Sequence, residues 1–157
     1  MRNQSDCEKE GKIQGRVSIL RQKMREKGIQ WYLIPTADFH NSEYVNDYFK
    51  VREYFSGFTG SNGTLLVSDN MAGLWTDGRY FIQAEHELEG SNIILFRMME
   101  EGVPTLQDYL KMHMQKGDIL GVDGRVITAS FGNGLESVLK EKGAKIIYEE
   151  DLAGAIW

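Results

Sequence analysis

The segment Trp75-Thr-Asp-Gly-Arg-Tyr-Phe81 carries the residues of this chain that are best placed to do chemistry. It predicts the end of a strand, a turn and the start of a helix, with Asp77 as an N-cap that accepts a hydrogen bond from the amide of Tyr80. Arg79 then falls in the first helical turn, where a cation meets the positive end of the helix dipole. Two interpretations of this arginine stay open. It faces a carboxylate ligand together with the helix-end amides, or it forms a surface ion pair with Asp77 or Glu85.

The three histidines and the single cysteine do not form a pattern typical of catalysis or metal binding. His40, His86 and His113 lie in separate predicted elements, and none has a second histidine at the helical spacing of a metal motif. Asp38 and His40 are the one pair that could face the same way in an extended segment. Cys7 alone excludes an internal disulfide and a zinc site of several thiolates. We therefore predict no catalytic residue and no metal ligand in this chain.

Charge and hydropathy argue against nucleic-acid and membrane partners. The formal net charge is −5 and the basic residues alternate with acidic ones, whereas a phosphate-backbone binder needs clustered Lys and Arg. No apolar run approaches the length of a membrane span, and the polar residues 1–12 lack the apolar stretch of a signal peptide. The stretch Ser56-Gly-Phe-Thr-Gly-Ser-Asn-Gly63 lacks the Lys-Ser/Thr of a phosphate-binding loop and leads into a strand. We expect a cytoplasmic protein.

Strands alternate with amphipathic helices along the chain. Ile13, Val17, Leu20 and Met24 recur at helical spacing, and Gly28 predicts the end of that first helix. A hairpin is predicted at 63–76, with Asp69-Asn70 as its turn. Thr105 and Thr128 each predict the N-cap of a later helix, although Gly132 and Gly134 weaken the second of these. Further strands are predicted at 31–35, 93–97, 119–123 and 145–148. This order predicts a three-layer α/β domain with a mixed β-sheet of about five or six strands flanked by helices.

Four blocks, in order, resemble the amino-terminal domain of Xaa-Pro aminopeptidases, which belong to the creatinase and prolidase group of pita-bread (M24) metallopeptidases. The resemblance extends from about Ile13 to Trp157, and its second and third blocks are the specific ones. The blocks are Tyr32-Leu-Ile-Pro-Thr-Ala-Asp-Phe-His-Asn-Ser-Glu-Tyr44, Arg52 with Ser56-Gly-Phe-Thr-Gly-Ser-Asn-Gly-Thr64, Trp75-Thr-Asp-Gly-Arg-Tyr-Phe81, and Gly121-Val-Asp123.

The resemblance implies a larger parent enzyme that releases the N-terminal residue preceding a proline. In such enzymes a separate catalytic domain holds two divalent metal ions, typically manganese, and the amino-terminal domain overhangs the active site and takes part in subunit contacts. The implied partners are a peptide with proline at its second position, the protein's own catalytic domain and further copies in a homo-oligomer. The arginine of the third block contacts bound peptide in the family, which carries over to Arg79. His40 and Arg52 match family-like positions, and we assign them to the same cleft.

The residue pattern and the resemblance together predict the boundaries. We expect a disordered polar tail at 1–12, the creatinase-like domain at 13–150, and at 151–157 the start of a linker or helix that leads to the next domain. Two alternatives stay open: a peptide- or protein-binding module of a relative that has lost catalysis, and the same domain of a prolidase or creatinase.

Overall fold

The computed structural model describes residues 4–34, 52–59, 63–122 and 129–148, with side chains for all of these except 4–10 and 129–131. Apart from a short helix at 52–56, the helices and strands follow the order that the sequence predicts. In chain order they are α1 (Gln4–Lys27), β1 (Trp31–Ile34), α2 (52–56), β2 (Thr64–Ser68), β3 (Ala72–Thr76), a 3₁₀ turn (Gly78–Tyr80), α3 (Phe81–Glu87), β4 (Ile94–Arg97), α4 (Leu106–His113), β5 (Ile119–Val122), α5 (Ala129–Glu141) and β6 (Lys145–Ile147).

The strands form one mixed six-stranded sheet in the order β4-β3-β2-β1-β5-β6. The pairs β1–β2 and β2–β3 are antiparallel, and the other pairs are parallel. β2 therefore runs opposite to every other strand of this sheet. Its first residue, Thr64, lies at the same end of the sheet as the last residues of β1, β3 and β5. We call this end the carboxyl edge, and the opposite end the amino edge.

Helices cover both faces, which confirms the predicted three-layer α/β domain. On one face α1 and α3 pack on the sheet through Ile13, Val17, Leu20, Met24, Ala84 and Leu88. On the other face α4 and α5 contribute Leu106, Leu110, Met114, Leu135 and Leu139. Burying each large aliphatic side chain stabilises the fold by roughly 1.5–3 kcal/mol.

The C-terminus of α1 is defined by a Schellman motif. Gly28 has φ +71°, the left-handed region that glycine adopts without a Cβ penalty. The amide of Ile29 donates to the carbonyl of Met24 at 2.8 Å, and the amide of Gly28 donates to Arg25 at 3.2 Å. The predicted helix end is therefore confirmed.

The N-terminus of α1 differs from the expectation. A disordered tail was expected through residue 12, and the helix instead begins at Gln4. This segment lacks the apolar spacing that a sequence argument depends on, but it contains no proline. Helix propagation is much less costly than nucleation, so a helix fixed by its buried turns extends into polar residues.

Both glycines within α5 have neighbours that explain them. A Cβ on Gly132 would lie 3.2 Å from the hydroxyl of Tyr148, and one on Gly134 would lie 3.1 Å from the amide nitrogen of Gln107. The glycines therefore let α5 lie close to the end of β6 and to α4. The helix runs through both positions, so its core contacts outweigh the low helix propensity of glycine.

Candidate functional site

The recognisable blocks of the sequence converge at the carboxyl edge of the sheet. The second block leads into β2 through Gly63, and the third leaves β3 after Thr76. The first and fourth blocks contain the ends of β1 and β5, which pair in parallel in the sheet. Because β2 is reversed, the described parts of all four blocks meet at one edge. Ligands of open α/β sheets bind outside the carboxyl ends of the strands, so this edge is the candidate site.

Asp77 caps the turn that follows β3, but not through the predicted amide. Its Oδ1 accepts from the amide of Arg79 at 3.0 Å, whereas the amide of Tyr80 donates to the carbonyl of Asp77 at 3.0 Å. The first turn is a 3₁₀ turn, and its shorter hydrogen bond occupies the amide of Tyr80. The predicted role of Asp77 as a cap is confirmed, and its predicted partner is wrong.

The guanidinium of Arg79 is held by the same carboxylate. Nε donates to Asp77 Oδ1 at 3.2 Å and Nη2 donates to Oδ2 at 2.9 Å, a fork-to-fork arrangement that fixes the plane of the cation. The guanidinium carbon also lies 5.2 Å from the centroid of the Tyr80 ring. Hydrogen bonding to Asp77, and then the charge of Asp77, raise the pKa of Arg79, which favours the charged guanidinium further.

Arg79 stays accessible although it is paired. Its side chain is 72% exposed, against 28% for Asp77. Of the partners considered from sequence, Asp77 forms the pair, and Glu85 instead pairs with Arg97. The arrangement is an oriented, exposed cation, suited to a carbonyl or carboxylate group of a ligand.

Arg52 lies beneath the site. It is only 2% exposed, and its Nη1 donates to the carbonyl of Gly63 at 2.9 Å. Its own carbonyl accepts from Ser56 Oγ at 2.7 Å, and Ser56 Oγ in turn accepts from the amide of Phe58 at 3.1 Å. Arg52 therefore supports the entry to β2 from inside the protein.

A polar network ties the segment after α2 to α3, and the sequence argument did not identify it. Thr59 Oγ1 bonds to the carboxylate of Glu87 at 2.9 Å. Gln83 Nε2 donates to Thr59 Oγ1 at 2.8 Å and to Glu87 Oε1 at 2.6 Å. The i, i+4 spacing of Gln83 and Glu87 was a usable signal for a shared helix face. The second block is therefore bonded at Gly63 by Arg52 and at Thr59 by this network.

His86 and His113 add no contact to Arg79 in the described part of the chain. His40 and Asp38 lie outside the described residues. His86 is exposed, and the ring of His113 lies 4.1 Å from that of Tyr109. In the described part of the chain, no three residues among His, Cys, Asp and Glu gather to hold a metal ion. A two-metal centre therefore does not fit the residues that the structure describes. Nor is any helix in these ranges long and apolar enough to cross a bilayer.

Known proteins share both the sequence and the fold. Residues 16–149 match the Creatinase/Prolidase N-terminal domain family. The chain is 40% identical over 139 residues to Xaa-Pro aminopeptidase 1 of Dictyostelium discoideum, covering 88% of this chain and 22% of that protein. It is 42% identical over 143 residues to the probable Xaa-Pro aminopeptidase P of Aspergillus fumigatus, covering 90% and 22%.

Two solved structures share the fold of this chain. The X-prolyl aminopeptidase of Caenorhabditis elegans, described as a cytosolic enzyme with a di-nuclear active site, matches with a TM-score of 0.77 and 30% identity, over 99% of this chain and 26% of that one. The N-terminal domain of the peptidase PepQ from Mycobacterium tuberculosis shares the fold, with a TM-score of 0.64 and 24% identity, over 91% of this chain and 98% of that one.

The fold and its edge site define a three-layer α/β domain of the creatinase/prolidase N-terminal type. The chain belongs to the Creatinase/Prolidase N-terminal domain family, which confirms the resemblance read from its four blocks. It spans 22% of the length of the two curated relatives named above.

Proposed function

We propose that this chain is the amino-terminal domain of an Xaa-Pro aminopeptidase, and that it shapes the substrate cleft without supplying catalytic groups. The names of its relatives support the activity, and the small share of their length that it matches supports a separate catalytic part. In this proposal 13–150 form the domain and 151–157 lead to the next one. The catalytic part holds two divalent ions, with manganese as our choice. We further propose a cytoplasmic homo-oligomer.

The observation that carries the proposal is the exposed cation at the carboxyl edge. Arg79 is oriented by Asp77 and leaves Nη1 without a hydrogen bond to the described part of the chain. A peptide offers backbone carbonyls and a terminal carboxylate, both of which accept from a guanidinium. We assign Arg79 to peptide binding, Arg52 to supporting the loop before β2, and His40 to the same cleft.

Peptide hydrolysis by the longer protein tests this proposal. Arg79→Ala should lower kcat/KM for Xaa-Pro peptides roughly tenfold or more, as expected when a charge-assisted hydrogen bond is lost. Arg25→Ala is the matched control, because Arg25 is also exposed and paired with a carboxylate, Asp69 at 3.4 Å, but at the amino edge.

Equal kcat/KM for both variants would return Arg79 to a surface ion pair. A longer protein that binds Xaa-Pro peptides without cleaving them would favour the binding-module alternative.

A further inference from the structure

A small apolar pocket opens at the carboxyl edge, on the face covered by α4. Its volume is about 140 Å³. Most of its wall is formed by Trp75, Met98, Met99, Val103, Pro104 and Leu106. The indole Nε1 of Trp75 donates to the carbonyl of Pro104 at 3.0 Å, so the one polar atom of that side chain is already satisfied. A dry apolar cavity of about 150 Å³ can hold a benzene molecule, so this pocket suits one side chain of the size of Leu or Phe.

Two methionines at the pocket are exposed to an unusual degree. Met98 is 40% exposed and Met99 is 97% exposed. Met99 also has φ +72°, a left-handed conformation that is strained for a bulky residue. The turn is fixed by backbone bonds from Glu100 to Arg97 at 3.3 Å and from Val103 to Glu100 at 3.2 Å. Strain held in place by surrounding bonds is common at ligand sites, and methionine adapts to varied apolar ligands.

The pocket and Arg79 flank the same strand end. The amide of Met98 donates to the carbonyl of Thr76 at 3.0 Å, and Thr76 directly precedes Asp77. Trp75 and Leu106 belong to the core of the α4–α5 face. The helix that follows Arg79 packs on the opposite face through Ala84. A peptide that crosses the end of β3 would thus meet the cation on one face and the pocket on the other. An extended chain covers about 3.3–3.6 Å per residue, so the two contacts fall on different residues of the peptide.

We propose that this pocket binds an apolar side chain of the peptide, at a position beyond the proline, and so selects longer peptides that carry Leu or Phe there. The inference rests on the proposed function in taking an Xaa-Pro peptide as the ligand. It adds a second specificity site, separate from the residues around the cleaved bond. Short Xaa-Pro dipeptides do not reach it, so the selection applies to longer peptides alone.

Peptide binding to the 157-residue chain tests the inference without any need for hydrolysis. A domain of this fold has been solved by itself, so the isolated chain is a suitable specimen. The probes are hexapeptides that begin Ala-Pro, with glycines elsewhere and a single Leu moved through positions three to six, each with an Asp twin. At one position the Leu peptide should bind roughly tenfold tighter than its twin, as expected for burying one leucine side chain. It should also shift the NMR signals of the Trp75 indole and of the Met98 and Met99 methyl groups.

Met98→Gln should remove most of that preference, because the change places an amide in the pocket wall at nearly constant size. Met112→Gln is the matched control, because Met112 is 62% exposed on α4 and does not line the pocket. Equal binding of the Leu and Asp twins at every position, shifts confined to the surroundings of Arg79, or no binding at all would each overturn the inference. Loss of peptidase activity in the longer protein would instead bear on the proposed function, since these measurements do not depend on it.

Discussion

Gly73→Ala should destabilise the domain, because the strand has no room for a methyl group at that position. Gly73 lies on β3 beside the stacked rings of Trp75 and Phe96, whose centroids are 4.0 Å apart at an interplanar angle of 4°. An added Cβ would lie 2.6 Å from Phe96 Cε2 and 3.1 Å from Trp75 Cζ3. The first distance is well below van der Waals contact, so the ring of Phe96 must move.

The expected cost follows from these contacts. Overpacking a core by one methyl group costs about 1–3 kcal/mol, and a displaced ring also loses part of an aromatic pairing worth roughly 0.5–1.5 kcal/mol. Phe96 is only half-buried on the outermost strand, β4, so it can yield toward solvent. We therefore expect a loss of about 1–3 kcal/mol in the free energy of unfolding.

A glycine-to-alanine substitution in α1 should instead stabilise the domain. Gly15 lies inside α1, and nothing is within 4 Å of its added Cβ. Gly15→Ala should raise the free energy of unfolding by about 0.5–1 kcal/mol, through helix propensity alone. Urea unfolding followed by circular dichroism measures both variants on one scale.

A double-mutant cycle with Phe96→Ala isolates the clash. Without the ring, Gly73→Ala should lose most of its effect. A neutral Gly73→Ala in the original sequence, or an unchanged cost in the Phe96→Ala background, would refute the steric reasoning.

Four further predictions follow from other contacts. Thr105→Ala should lower the free energy of unfolding by about 1 kcal/mol, because Thr105 Oγ1 accepts from the amide of Asp108 at 3.1 Å. Thr105→Ser should retain this hydrogen bond and the stability, and urea unfolding compares the two variants. Met99→Gly should raise the same free energy by up to about 1 kcal/mol by relieving a positive φ, whereas Met112→Gly within α4 should lower it by a similar amount. Arg79→Ala should leave the urea midpoint unchanged, because the side chain is exposed; a clear drop would make Arg79 a structural residue. Burial, and then the hydrogen bond to Glu136, raise the pKa of Tyr148 from 10.0 to about 12. Stability should therefore hold below pH 10 and fall as the pH rises toward 12, because Tyr148 ionises first in the unfolded chain. Tyr148→Phe should flatten that slope, as measured by unfolding at several pH values.

Local sequence patterns predicted most of the helices and strands, because helix faces, helix ends and N-caps are each determined by residues close together in the sequence. The apolar spacing of Ile13, Val17, Leu20 and Met24 matches the buried stripe of α1. Gly28 ends the helix with the expected geometry, and Thr105 caps α4 through the amide of Asp108. Each of these depends on a few consecutive residues, so a sequence argument can reach it.

Sequence reasoning reaches less far where neighbours distant in sequence decide the outcome. No pattern within the sequence marks Arg52 as buried, because its partner is the carbonyl of Gly63 across a loop. The amide that Asp77 accepts from depends on whether the first turn is 3₁₀ or α-helical, a distinction that residue types alone do not make. The glycines of α5 depend on Tyr148 and Gln107, which lie in other elements.

The convergence of the four blocks also required the structure. The hairpin predicts that β2 and β3 are antiparallel, but the position of β1 between β2 and β5 depends on long-range pairing. Arg79 was found from its residue type and context. The apolar pocket was not, because Trp75 and Pro104 come together only through the packing of α4 on the sheet.

Because β2 is reversed, the turn between β2 and β3 lies far from the candidate site and is a suitable position for an insertion. The turn at Asp69 and Asn70 joins β2 to β3 at the amino edge, one whole strand length from Arg79, and both residues are exposed. Asp69 pairs with the exposed Arg25 of α1, a kind of contact that contributes little to stability. A fluorophore, tether or affinity tag inserted there would leave the carboxyl edge of the domain untouched.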